Sequence, residues 1–256
     1  MSTHSLDRRQ SWVREAWAST LGKKVVAAVT GIALLGYLVL HMVGNLTALA
    51  GSGDAGAQPR VDDYAHWLRE FGTPLLPYEF VMWVIRVLLL LALILHVTAV
   101  AQLAARNRRA RPAGHGAKRI GRSWAARSMI VTGPLLLFFV VFHVLQFTTL
   151  TIDVTPLREG AVYANLHGAF EKWYFLLLYL VALAAVGLHL RHGAWSLLQT
   201  LGLDAPSRNR LLRRSATAIT LVVVVGFASV PILFFAGALP DPTPAALAGH
   251  RAEAGR

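Results

Sequence analysis

The chain contains no cysteine. That excludes, within the chain itself, thiolate-ligated iron–sulfur clusters, covalently attached c-type haem, structural disulfides and a thiol nucleophile. It is also short of charge: 15% of its 256 residues are charged and 55% are hydrophobic, against about 25% charged in a soluble domain. Mean hydropathy is +0.50. Acids are scarcer than bases, 13 against 25. The basic residues fall between apolar blocks, where membrane proteins carry them, so the positive balance is read as a membrane feature and not as a nucleic-acid surface. A multi-pass membrane protein is expected, with its chemistry resting on side chains other than cysteine.

Runs of roughly 20 apolar residues can cross a bilayer as helices, and five are found: about Lys24–Ala50, Leu75–Ala105, Ser128–Ile152, Gly168–Leu190 and Ala216–Leu239. Residues 1–23 lack a continuous apolar core. Trp12, Val13, Trp17 and Leu21 among charges suggest an amphipathic stretch on the membrane surface. Residues 240–256, rich in Pro, Ala and Gly, are expected to be a disordered tail. The organisation is thus a surface segment (1–23), a five-helix membrane domain (24–239) and a tail. Eighteen Lys and Arg, among them Arg8, Arg9, Arg111, Lys118, Arg119 and Arg122, lie on one side of the spans and six on the other. The positive-inside rule then puts the N-terminus in the cytoplasm and the C-terminus outside.

No Asp or Glu lies deep in any span, but the first four spans each carry one deep histidine: His41, His96, His143 and His189. A polar ring is costly in hydrocarbon and marks a functional site by default. One such ring can simply bond to a neighbouring helix; four, one per helix, ask for more. With a rise of 1.5 Å per residue, His41 and His143 lie roughly 26 and 23 Å from the basic side. His96 lies roughly 15 Å from it, and His189 nearer still. The four therefore fall into an outer pair, His41 with His143, and an inner pair, His96 with His189. Two haem b groups, each held by two imidazoles from opposite sides, use such an arrangement. A weak repeat supports the pairing: Thr30-Gly31 precedes His41 (TGIALLGYLVLH) as Thr132-Gly133 precedes His143 (TGPLLLFFVVFH). Small residues at that spacing let a flat macrocycle or a neighbouring helix come close.

Five spans, a histidine in each of the first four, and TG-x9-H in the third resemble the cytochrome b subunit of succinate:menaquinone oxidoreductases, the single-chain dihaem anchor of succinate dehydrogenase and fumarate reductase (cytochrome b558 type). The resemblance covers about Lys23–Leu239. It implies an all-α, five-span protein in the cytoplasmic membrane of a prokaryote, and an oxidoreductase subunit that does not itself bind succinate. Its partners would be a flavoprotein subunit and an iron–sulfur subunit, so no FAD or iron–sulfur cluster would belong to this chain, and a higher oligomer of the complex is compatible with it. By position, His96 and His189 would ligate a proximal haem on the cytoplasmic side, and His41 and His143 a distal haem, with menaquinone receiving the electrons. Membrane cytochromes b of other types place two histidines on one helix. His189 and His192 share a helix, but His192 falls in its basic end and is read as interfacial, a substitute if His189 is not the ligand. One branch of the family has an acid two residues before the fourth ligand, where this chain has Gly187. A transmembrane proton path through the chain is therefore not expected.

Haem propionates need cations. Arg86, ten residues before His96, falls near the depth of the outer pair and is expected to meet a distal propionate or the quinone, or else to snorkel outwards. Lys24, Arg127 and Arg191 are placed for the inner propionates. For quinone protonation the first outer loop offers Asp62, Asp63, Tyr64 and His66, with Glu70, and Glu79 and Glu171 stand at span starts. The plain alternative is a solvated polar helix, and an inner quinone site near Arg127, Ser128 or His192 stays open. No residue is assigned a catalytic role. Rival readings are the same subunit in a quinol:fumarate reductase, a haem-free anchor of a soluble dehydrogenase, and a transporter using histidines as a proton relay. Absent deep acids weigh against the last.

Overall fold

The computed structural model describes residues 12, 14–51, 59–110, 124–152 and 157–248. Eight α-helices follow one another among them: α1 (Thr20–Leu46), α2 (Arg60–Glu70), α3 (Phe80–Arg109), α4 (Trp124–Phe147), α5 (Val162–Phe170), α6 (Trp173–Thr200), α7 (Asn209–Phe235) and α8 (Pro244–Ala248). There is no strand among the described residues. Five helices, α1, α3, α4, α6 and α7, are long and apolar enough to cross a membrane, and the protein is a multi-pass, all-α membrane protein. Hydrocarbon offers no partner to a backbone N–H or C=O, so an apolar segment of this length has to satisfy its own backbone as a helix.

The ends of the long helices divide the molecule. At one end lie α2, α5 and α8, the capped end; at the other lie the basic loops. Helix α3 closes on Arg106, Arg108 and Arg109, cations that complement the negative end of its dipole. Helix α1 begins at Ser19, whose hydroxyl accepts the Gly22 N–H at 2.8 Å. The observed bounds depart from a hydropathy reading in physically simple ways. Helix α3 starts at Phe80, not Leu75, because Gly72, at φ 103, and two prolines, Pro74 and Pro77, keep the preceding stretch in turns. Gly168 belongs to α5, and α6 starts after a break at Glu171–Lys172. Helix α6 then runs through Arg191 and His192 to Thr200: a charge ends an apolar run without ending the helix.

The main core sits at the capped end, where Ala48, Val61, Tyr163, Phe170, Tyr179 and Phe234 pack together. Aromatic rings from α5, α6 and α7 meet edge-to-face, Tyr163 on Phe234 at 5.2 Å and Phe170 on Tyr179 at 5.0 Å between centroids. Gly44 lets α2 lie against α1, since a Cβ there would come within 2.7 Å of the Tyr64 ring. The stretch after Leu239, expected to be loose, is held in its described part. The Tyr163 hydroxyl donates to the Pro240 carbonyl at 2.8 Å, and the Arg158 guanidinium to that of Leu247 at 2.7 Å. Residues 249–256 lie outside the described residues, as do Arg8, Arg9, Val13, Arg111, Lys118, Arg119 and Arg122.

Asp62 ties the capped end together. It is fully buried, and its Oδ1 accepts the Tyr163 N–H at 2.9 Å. It thereby supplies from α2 the N-terminal cap of α5 that Ala161 cannot. Its Oδ2 has no hydrogen-bond partner. Burial pushes the carboxyl up to about 6, against the opposing pull of backbone N–H groups at Tyr163 and Val162. The folded chain thus keeps a proton that the unfolded chain, titrating at 3.8, has released. The stability from neutral Asp62 is full below about pH 4 and falls by roughly 2–3 kcal/mol as the pH rises through 6. Asp62→Asn should flatten this slope relative to the native protein, read as hydrogen exchange of the α5 amides between pH 4 and 7. Parallel slopes in the two proteins would refute the role.

Candidate functional site

The four deep histidines meet across the bundle in two pairs. His41 of α1 and His143 of α4 stand with ring centroids 5.9 Å apart and planes at 74°. His96 of α3 and His189 of α6 stand 6.5 Å apart at 56°. His189, and not its neighbour His192, is the ring that faces His96. Helix α1 packs along α3, and α4 along α6; α1 against α4, and α3 against α6, make at most marginal backbone contact. The imidazoles therefore reach toward each other across gaps that the helix backbones do not close.

Hydrogen bonds fix which nitrogen of each ring is free. The Thr30 hydroxyl donates to the Val26 carbonyl at 2.7 Å, so its oxygen faces His96 Nδ1, 3.2 Å away, as an acceptor. The Ala27 carbonyl, 3.1 Å from the same nitrogen, can only accept. His96 therefore carries its proton on Nδ1 and leaves the Nε2 lone pair open. The same construction recurs in the second half of the chain. The Thr132 hydroxyl donates to Ser128 O at 2.9 Å and accepts from His189 Nδ1–H at 3.3 Å. In the outer pair, Tyr179 donates to Gln146 Oε1 at 2.8 Å and accepts from His143 Nδ1–H at 3.1 Å. His41 departs from this pattern. Its Nε2 lies 3.3 Å from Asn45 Nδ2, whose amide also donates to the His41 carbonyl at 2.9 Å.

The repeated TG-x9-H segment acquires a meaning the sequence did not give it. Its threonine marks the level of the inner pair, by bonding to the histidine of the following span, and its histidine belongs to the outer pair. Eleven residues of helix put the two levels about 16 Å apart along α1, and again along α4. Gly31 fits the close-approach reading: a Cβ there would sit 3.4 Å from the His96 ring. Gly133 has nothing within 4 Å of such a Cβ.

Geometry and chemistry both suit haem. A metal–imidazole bond is about 2.0–2.1 Å, so two rings in line on one iron would have centroids roughly 6.3 Å apart. The observed separations bracket that figure. No group of three or more His, Cys, Asp or Glu converges among the described residues. Two facing imidazoles at each level are a donor set that could hold a haem. Among the described residues, the hydrogen bonds of His96, His143 and His189 are made at Nδ1 and none at Nε2; at His41 the Asn45 amide would have to turn aside.

The other sequence candidates are distributed less tidily. Arg86 is half-buried, with its guanidinium over the Trp83 ring at 4.9 Å. Tyr37, one helical turn from His41, stacks on that ring at 5.5 Å. Lys24, Arg127 and Arg191 are exposed, whereas Lys23, which hydropathy did not single out, is 2% exposed, with its ammonium on the Trp17 carbonyl and over the Trp17 ring. Of the outer acids, Asp62 is committed to capping α5 and Glu79 to Arg69 at 3.1 Å. Asp63 lies in the first turn of α2. His66 pairs with Glu70 at 3.4 Å, and Tyr64 stacks on Trp67. The sequence reading missed His167, buried on α5 between Glu171 and Asp241 at 3.4 and 3.3 Å. It also missed Gln146 and Tyr179; an amide three residues after a deep histidine was the available signal.

No family model matches the chain, and neither a curated protein nor a solved structure does.

The Tyr179 relay yields a stability test independent of any cofactor. Tyr179→Phe leaves both His143 Nδ1–H and Gln146 Oε1 without their partner in the interior. A loss of about 1–3 kcal/mol is expected, read as a lower thermal midpoint in detergent. An unchanged midpoint would show that these groups find other partners.

Proposed function

We propose that this chain is a dihaem cytochrome b, the membrane subunit of a succinate:menaquinone oxidoreductase in a prokaryotic cytoplasmic membrane. The observation that carries the haem reading is the pair of facing imidazoles at each of two levels, three of the four rings having Nδ1–H spent on an acceptor and Nε2 free. His96 and His189 would hold the inner haem, and His41 and His143 the outer. Haem b supplies reversible one-electron chemistry when bound. The protein's part is to fix ring orientation through Thr30, Thr132 and Tyr179, to surround the iron sites with apolar helix, and to set the two levels at a spacing electrons can cross. Lys23 at the basic end and Arg86 toward the capped end are the cations best placed for propionates: one buried, one half-buried, both within reach of the membrane-spanning region.

The succinate assignment rests on the resemblance in helix number and histidine placement. In that reading the basic loops face the cytoplasm and receive an iron–sulfur subunit, which a flavoprotein feeds from the dicarboxylate. Menaquinone is then reduced on the capped side. Tyr37 stacks on His41 there, is 40% exposed and lies in the field of Arg86, so a quinone entering from the lipid would meet an aromatic ring beside the outer ligand, with a cation near that ring. Running the same electron path backwards would make the complex a fumarate reductase.

A reduced-minus-oxidised spectrum of the purified chain with a pyridine haemochrome count tests the reading. Two b haems per chain are expected, and His143→Ala should remove one while sparing the other. A haem-free protein would return the four rings to helix packing and leave an anchor. Where haem is found, succinate-dependent haem reduction in the complex would separate this complex from other membrane cytochromes b.

A further inference from the structure

The two threonines of the repeated motif stand in the same relation to the inner histidines, in two different helix pairs. In α1, Thr30 Oγ1 donates to the carbonyl four residues back, Val26, and accepts from His96 on α3. In α4, Thr132 Oγ1 donates to Ser128, again four residues back, and accepts from His189 on α6. Both threonines are more than nine-tenths buried. A helical threonine that back-bonds in this way gains little stability. What it gains is direction: with its proton committed to its own helix, the hydroxyl oxygen can only accept.

We infer that Thr30 and Thr132 are positioning residues that set the tautomer and electron density of His96 and His189 as iron ligands. This rests on the haem reading above and goes beyond it, because the outer pair uses other groups, Tyr179 for His143 and Asn45 for His41. An acceptor on Nδ1–H makes the imidazole a stronger donor at Nε2, which favours the ferric over the ferrous state and orients the ring. The two threonines are not equal. His96 Nδ1–H keeps the Ala27 carbonyl if Thr30 is lost, whereas Thr132 is the acceptor identified for His189.

The test is Thr132→Val and Thr30→Val in the full-length, haem-loaded chain, with Thr132→Ser as the conservative control. The inner haem signal is assigned as the one lost in His189→Ala. Thr132→Val should raise the midpoint potential of that haem, leave the other haem unmoved, and weaken haem retention about tenfold. Thr30→Val should shift the same haem in the same direction by less, and Thr132→Ser should restore native behaviour. If Thr132→Val does not assemble, the smaller Thr30→Val shift and native-like Thr132→Ser still carry the test. A potential unchanged in both valine variants, a shift shared equally by both haems, or failure of serine to restore would overturn the inference while leaving the dihaem reading standing. A native protein that binds no haem would overturn both.

Discussion

A polar ring in hydrocarbon has to find its partners inside the protein, and four imidazoles at the centre of this bundle impose that requirement on every helix around them. Each is met by a group from a defined position: Thr30, Thr132 and Tyr179 from the helix next door, Asn45 from the same helix. The pairing of α1 with α3 and of α4 with α6 follows, because those are the helices linked by such bonds. The remaining valence of the rings points across the gap between the pairs. A packed four-helix core would have filled that gap with aliphatic side chains at interaxial distances of about 8–10 Å. Here imidazoles fill it, and helix α7, which carries no histidine, closes the remaining side against α1 and α6.

Stability and function are segregated along the bundle axis. The capped end holds the tight core, a ring of aromatic contacts and the buried carboxylate that joins α2 to α5. Tyr179 belongs to both worlds: it packs on Phe139, Phe147 and Phe170 and also accepts the hydrogen bond of His143 Nδ1–H. Through Tyr179 the outer pair therefore borders the core of the capped end. The inner pair lies toward the basic ends of the helices and depends on two hydroxyls held by their own helices. Different means of orienting the same kind of ring follow from what each end has available.

Much of this was legible in the sequence because its signals were one-dimensional. Helix number follows from apolar run length, and the pairing of His41 with His143 and His96 with His189 from depth counted at a fixed rise per residue. What was hidden depends on rotation and on neighbours. Lys23 and Lys24 differ by one residue, yet about 100° of helix turn separates a buried ammonium from an exposed one. Hydropathy could not see that α6 continues past Arg191, since a helix is indifferent to the charge that ends an apolar run. Asp62 read as a candidate proton donor because the sequence shows an acid in an outer loop but not the helix N-terminus folded onto it. The motif Thr-Gly was noticed for its glycine, while the threonine turned out to make the contact.

His41 is the ring in which the arrangement is least settled into one role. Its three counterparts have Nδ1 engaged and Nε2 free; His41 has Nε2 beside an amide that could be a donor to it, and an aromatic ring, Tyr37, lying flat on one side at 11°. An asparagine whose amide already holds the His41 carbonyl can turn its second N–H away at the cost of a single weak, 3.3 Å contact. The ring keeps its packing on Tyr37 and Phe227 while its Nε2 contact is weak enough to be released, whereas His143 is held through Tyr179 and Gln146. In the dihaem reading proposed above, one fixed and one adjustable imidazole would let a rigid planar group enter after the bundle has formed, the fixed side supplying register and the adjustable side completing the set. On that argument the outer level does not need the gap to be shaped in advance; it needs only one ring that holds still and another whose partner is cheap to release.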